Sequence, residues 1–306
     1  MITRAVIVRL LRSLAAILIV VTLIFCVVRL TGDPVRSVVP QDAPPEVIAH
    51  YRKVFGLDAP LWQQYLDYLG GLLHGDFGAS YFDADGALDI VLRRVPATLR
   101  LAIPAFLLSS LLGLVLGIVA AARAGGRLDR AINSTAIGLV ALPNFLLGVV
   151  LMLVLGVELH WLPTVGDAAP GAAVMPVIAM ALPPTAMLTR VTRSAMADAL
   201  ALPCLAHAAA IHVSPRRRLF AHALPNAARP ILTVIGFEIA YLVAGSSVIE
   251  VLFSWPGVGS LFVQASEQND YAVVQCIVVL ITVSVVIAHA LTDLAYRLVD
   301  PRLRST

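Results

Sequence analysis

The chain is predicted to be an all-α, polytopic membrane protein of six transmembrane helices, on three observations. Hydrophobic residues fill 59% of its 306 positions and charged residues only 13%, and the mean hydropathy of +0.88 lies far from that of soluble domains. Apolar stretches of about 20 residues, enough to cross roughly 30 Å of hydrocarbon, can be placed six times, near 10–30, 99–122, 132–157, 172–190, 230–252 and 272–296. The runs are continuous rather than alternating with period two, which favours helices over an outer-membrane barrel.

Charge placement sets the expected orientation. Of the 22 basic residues only Lys53 is lysine. Arg4, Arg9 and Arg12 precede the first span, and Arg123, Arg127 and Arg130 lie between the second and third. Arg190, Arg193, Arg216 to Arg218 and Arg229 flank the fourth and fifth, and Arg297, Arg302 and Arg304 close the chain. The short loops 158–171 and 254–271 carry no Lys or Arg. The positive-inside rule then puts both termini and the 191–229 loop in the cytoplasm. The net charge of +3 gives no sign of a nucleic-acid partner, and Cys26, Cys204 and Cys276 give no disulfide framework.

Taken in order, the N-terminal run from Leu14 to Val28 lacks a small-x-small cleavage site and is expected to remain as the first span. Residues 31–98 form an external region with structure of its own. Asp42, Pro44 and Pro45 start a helix that Gly56 ends, and Pro60 starts another. On the second, Leu61, Tyr65, Tyr68, Leu69 and Leu72 make a stripe that suits either a helix lying in the interface or one packed on the spans. Gly75, Asp76, Phe77 and Gly78 turn the chain. Asp83, Asp85 and Asp89 lack the glycine and terminal Glu of a calcium loop and read as solvated.

Gly113 and Gly117 in the second span suit close helix contact. Pro143 and Gly148 in the third, and Pro176, Pro183 and Pro184 in the fourth, free backbone carbonyls; they line a path or simply kink the helices for packing. Glu238, near mid-depth of the fifth span, costs about 2.5–3.5 kcal/mol unless it faces a cavity or partner. Glu250 falls near the outer end of that span. In the turn after it, Trp255, Pro256 and Gly257 let the chain dip back toward the bundle from the membrane interface.

The polar segment 202–230, LPCLAHAAAIHVSPRRRLFAHALPNAARP, stands out between apolar runs. Leu205 to Ile211 suits a short helix, and Ser214 with Pro215 starts a second that carries Arg216, Arg217, Arg218, His222 and Asn226. Two short helices tied to spans form a lever for something outside the membrane; a basic loop without a partner is the alternative.

At these residues the chain resembles the membrane subunits of binding-protein-dependent ABC importers of the dipeptide/oligopeptide/nickel type, in particular the first of their two permeases. The resemblance rests on Gly32-Asp33-Pro34, Gly56-Leu57-Asp58 with Pro60, Gln64-Tyr65, Gly75-Asp76-Phe77-Gly78, and Arg94 with Pro96, Thr98 and Leu99. It continues through Pro143 with Phe145 and Gly148, Leu182-Pro183-Pro184, Thr192-Arg193-Ser194-Ala195-Met196, Glu250 with Phe253 to Gly259, Asp270-Tyr271 with Gln275, and Asp300-Pro301-Arg302. His222, Asn226 and Pro230 match the end of the family's cytoplasmic motif.

The resemblance implies a type I ABC importer permease fold in a bacterial inner membrane. It implies a first span at 1–30, an external region at 31–98 and a core at 99–306 containing the coupling loop 191–229. It also implies that a coupling helix near Leu205 to Ser214, including Ala208, Ile211 and His212, docks on an ATPase. Implied partners are a second permease, two ABC ATPases and an external substrate-binding protein. The family usually has basic residues and a glycine where this chain has Ala206, Ile211 and His212; a histidine at φ > 0 costs of order 1 kcal/mol.

Gly125-Gly126 and Gly257-Val258-Gly259 lack the Gly-Lys-Ser/Thr that completes a P-loop, so ATP and its magnesium are expected on partner subunits, and neither catalysis nor a metal site is expected here. The leading expectation is half of a path for di- or oligopeptides, with nickel, a metal chelate or glutathione as alternative cargo. A stand-alone ion-coupled carrier using Glu238 is the alternative of a different class; it would be favoured by inverted repeats, which the two halves do not present.

Overall fold

A computed structural model describes residues 2–31, 35–40, 42–83 and 85–299. Gly32-Asp33-Pro34 and Asp300-Pro301-Arg302 lie outside the described residues, as does Arg304. The named elements of the described chain are all helices, in the order α1 Ile2–Thr31, α2 Val35–Val38, α3 Pro45–Val54, α4 Leu61–Leu73, α5 Ala87–Ala122, α6 Arg127–Ala141, α7 Asn144–Leu151, α8 Val174–Leu200, α9 Pro203–Ala210, α10 Pro215–Arg217, α11 Leu224–Leu252, α12 Val258–Gln268 and α13 Tyr271–Val299. Two π-helical stretches, Met152–Glu158 and Arg218–Ala223, continue α7 and α10.

Among the described residues four helices are long and apolar enough to cross a membrane, within α1, α5, α8 and α13, and a fifth crossing arises if α6 and α7 count as one. The predicted third span is therefore not one rod: α6 and α7 meet at 100°. Proline disfavours the helical region for the residue before it, and Leu142 is extended (φ −88°, ψ 130°) ahead of Pro143, which caps α7. The predicted span at 230–252 coincides with the 29-residue α11 without adding to that count.

The chain divides into two compact units. One comprises Ile2–Thr98 with Pro256–Val283, the other Leu99–Trp255 with Ser284–Thr306. The core of the first gathers Val28, Ala87, Val91, Tyr271, Cys276 and Ile277. Its helix boundaries follow the punctuation in the sequence. Gly56 (φ 66°) closes α3, Pro60 opens α4, and Gly75 and Gly78 (φ 76° and 84°) carry the turn after it. Gln64 donates from Nε2 to the carbonyls of Leu57 (3.2 Å) and Ala59 (2.7 Å), tying the inter-helix turn to α4. The stripe of α4 packs on α1: Tyr65 and Tyr68 lie 5.2 and 5.8 Å from Phe25, and the Tyr65 hydroxyl is 2.6 Å from Thr22. At the far end of this unit Asp270 caps α13, accepting from the Val273 amide and from Ser80.

The second unit is built on α5, α8 and α11. Gly113 and Gly117 let α8 approach α5 closely, since a Cβ on Gly117 would fall 2.5 Å from the Thr192 Cβ and 2.8 Å from the Thr189 carbonyl. Leu188, Met196, Leu205, Ala223 and Ile231 form the adjoining core.

Candidate functional site

The 202–230 segment folds as an elbow. The α9 helix ends in a Schellman motif: the Val213 amide donates to the Ala208 carbonyl at 3.0 Å, and the intervening His212 adopts φ 62°. That is the position where glycine normally removes the cost of a left-handed residue. Ser214 then takes an extended conformation and Pro215 begins the next helix, as its fixed φ favours, although the Ser214 hydroxyl makes no capping bond. The expected second short helix is not separate. It runs from Pro215 through the π-helical stretch directly into α11, so the elbow has one arm, α9, and a second arm continuous with a long helix.

The candidate coupling residues divide by burial. Leu205 is turned into the chain's own core and anchors α9, and Ala208 is half-buried. Ile211 (61% exposed) and Phe220 (56%) are uncovered apolar side chains. His212, Ser214, Arg216, Arg217, His222 and Asn226 are exposed beside them. Arg218 is half-buried with an unpartnered Nε, and Asn226 Nδ2 donates to the His222 carbonyl at 2.8 Å.

The candidate path residues form two groups rather than one. Pro183, Pro184 and Glu238 line a single cavity of about 300 Å³ with Phe237 and Tyr241. Glu238 is buried, its Oε1 accepts from the Ser109 hydroxyl, and its Oε2 has no partner. Pro143 stands at the α6–α7 bend. Glu250 lies twelve residues further along α11, roughly 18 Å away at 1.5 Å per residue. It belongs with the turn after the helix, where its carbonyl accepts from the Trp255 amide at 2.7 Å.

Only 1% of Trp255 is exposed; its ring lies 5.2 Å from the Arg100 guanidinium, which also pairs with Asp167 at 3.3 Å. Gly257 caps α12, and the Pro256 carbonyl accepts from Arg94 at 3.5 Å. Arg93 pairs with Asp85 at 2.5 Å.

Sequence reasoning missed one ionic group altogether. Asp129, in the first turn of α6, is buried and accepts from Arg193 Nε (3.1 Å) and Nη2 (2.8 Å), from the Gly125 amide (2.9 Å) and from Asn133 Nδ2 (2.7 Å). This bidentate fork fastens α6 to the last turns of α8, just before the elbow. The sequence placed Arg193 beside the fourth span and in the family motif but did not single out Asp129; the two are 64 positions apart, and only the fold brings them together.

The family profile described as binding-protein-dependent transport system inner membrane component matches residues 113–305, and the profile of its N-terminal part matches residues 2–102. The chain belongs to this family. It is 36% identical over 306 residues to the "Probable peptide ABC transporter permease protein y4tP" of Sinorhizobium fredii, covering 97% of each chain. It is 33% identical to the "Di/tripeptide transport system permease protein DppB" of Pseudomonas aeruginosa, covering 93% of this chain and 94% of that one. It is also 33% identical to the "Glutathione transport system permease protein GsiC" of Escherichia coli, covering 97% of each. Among solved structures, an inward-facing MetNI methionine ABC transporter chain superposes with a TM-score of 0.56 at 16% identity, over 69% of this chain and 96% of that one, which shows a shared fold. The protein is thus an all-helical, multi-pass ABC importer permease of type I fold.

Proposed function

We propose that this permease forms one half of an inner-membrane path for di- and oligopeptides handed over by an external binding protein. The observation that carries the peptide assignment is end-to-end similarity to permeases named for peptides. In this reading the elbow faces the cytoplasm with both termini, as the arginine distribution favours. An ATPase subunit grips Ile211, Phe220 and the exposed arginines. Apolar side chains ringed by cations suit a groove with an apolar floor and acidic rim.

ATP and magnesium act on two partner ATPases, and a second permease supplies the other half of the path. Motion imposed on α9 reaches α8 at its C-terminal end, while motion imposed on Arg216 and Arg217 reaches α11 along one continuous helical run. Both helices line the Glu238 cavity. The elbow is therefore mechanically joined to the path by two independent arms.

The test is uptake. A strain lacking this chain, auxotrophic for an amino acid supplied only as a dipeptide, should stop growing and recover when the chain is restored. Growth unaffected by the deletion would overturn the peptide assignment. Glutathione is the second reading, favoured by the similarity to GsiC; the same strain pair assayed with labelled glutathione separates the two.

A further inference from the structure

The unit formed by Ile2–Thr98 and Pro256–Val283 contains a cavity of about 500 Å³ that the transport reading does not use. Its wall carries an unusual concentration of buried polar atoms without partners: Arg29 Nε and Nη1, the Tyr68 hydroxyl, Gln64 Oε1 and Gln275 Nε2. Each such group costs about 1–3 kcal/mol if nothing meets it, so four unsatisfied residues around one space require an occupant.

The chemistry of the wall says what kind. Arg29 has no carboxylate partner among the described residues. Its guanidinium sits 5.4 Å from the Phe25 ring and 5.6 Å from the Tyr271 ring, and Tyr81 is its hydrogen-bonding neighbour. Burial pushes the Tyr81 phenol up to about 12 and raises that of Tyr68 as well, so both remain neutral hydroxyls. The inner wall therefore offers a cationic fork, an amide and a phenol, the set that holds a carboxylate or phosphate. Asp67 and Asp76 line the same cavity but are exposed, so negative charge stands at its open side. The volume exceeds that of a simple ion and lies in the range of small-molecule sites.

We propose that this cavity binds a compact zwitterion, its anionic group seated on Arg29, Gln275 and Tyr68 and its ammonium held at Asp67 and Asp76. Two sources share that chemistry: a free amino-acid-like or dipeptide molecule, and the headgroup of phosphatidylethanolamine. The cavity shares no lining residue with the Glu238 cavity or with the elbow, so a dipeptide held here would be bound apart from the proposed path.

The full-length chain, purified in a maltoside detergent, tests it by calorimetric titration with glycylglycine and by native mass spectrometry after addition of phosphatidylethanolamine. Saturable glycylglycine binding, weakened at least tenfold by Gln275→Leu, assigns a free zwitterion. Phosphatidylethanolamine retained by the wild type and lost from Gln275→Leu assigns the headgroup. Gln275→Leu removes an unpaired buried donor, so its melting temperature should equal or exceed that of the wild type. Asp67→Asn, an exposed change that leaves the fold intact, should weaken glycylglycine while leaving N-acetylglycylglycine, which lacks the ammonium, unaltered. Failure of both probes to bind the wild type, or equal binding by the wild type and Gln275→Leu, would overturn the proposal.

Discussion

The guanidinium of Arg193 is held inside the chain by Asp129 at 2.8 and 3.1 Å, whereas Arg216 and Arg217, beyond the next bend, are exposed and pair with no carboxylate among the described residues. The carboxylates divide in the same way. Each Asp129 oxygen accepts two hydrogen bonds, one from Arg193 and one from Gly125 or Asn133, while Glu238 keeps one buried oxygen unpartnered beside a cavity. Charges satisfied within the chain fix its architecture; charges left unsatisfied mark where something else is meant to arrive.

The largest expected effect breaks the satisfied pair. Arg193→Ala leaves a buried carboxylate without its cation, and removing one partner of a buried pair is far worse than removing both. Abundance of the chain in the membrane should fall several-fold, measured by immunoblot of membrane fractions, and Asp129→Asn combined with Arg193→Ala should restore part of it. An unchanged level in the single variant would place the pair among decorative contacts.

Glu238→Leu should do the opposite: normal abundance, with uptake reduced about tenfold, as expected if ~1.4 kcal/mol of interaction with cargo or water in the path is lost. Unchanged uptake would return Glu238 to a packing role.

His212→Gly should relieve about 1 kcal/mol of left-handed strain. A higher melting temperature with undiminished transport is the expected outcome. A loss of transport would mean that the imidazole itself contacts a partner.

In the other unit the Asp270 carboxyl is pushed above its usual range, chiefly by burial and against its hydrogen bonds from Ser80 and the Val273 amide. A folded state that holds its proton more tightly than the unfolded one is favoured fully below the ordinary carboxylate range. That contribution is lost as pH rises through the raised value. Asp270→Asn should flatten this part of the stability curve, followed by thermal melting across pH. The smallest effect belongs to the exposed Arg93–Asp85 pair: Arg93→Ala should change stability by no more than ~1 kcal/mol, and less in salt.

Four of the six expected spans and the elbow were legible because hydropathy and capping are local properties. Gly56, Pro60 and Pro215 each punctuate the helices where their backbone preferences demand; the sequence left open whether the turn at His212 is reshaped, and His212 keeps the left-handed conformation. The 100° break at Pro143 was not legible, because prolines inside spans more often kink a helix than divide it, as Pro183 and Pro184 remaining within α8 illustrate. The burial of Trp255 was not legible either: a tryptophan beside a span says nothing by composition about its covering, and its contact with Arg100 appears only in the fold. The Asp129 fork and the Arg29 cavity join distant segments, which no window of sequence brings together.

The central proposal is that the exposed Arg216 and Arg217, with the half-buried Arg218, are the elbow's grip on a partner ATPase. The most direct measurement is recovery of the ATPase subunits with the affinity-purified permease after Arg216→Ala, Arg217→Ala and Arg218→Ala are combined. The account predicts normal membrane insertion with sharply reduced ATPase recovery; wild-type recovery from the triple variant would contradict it.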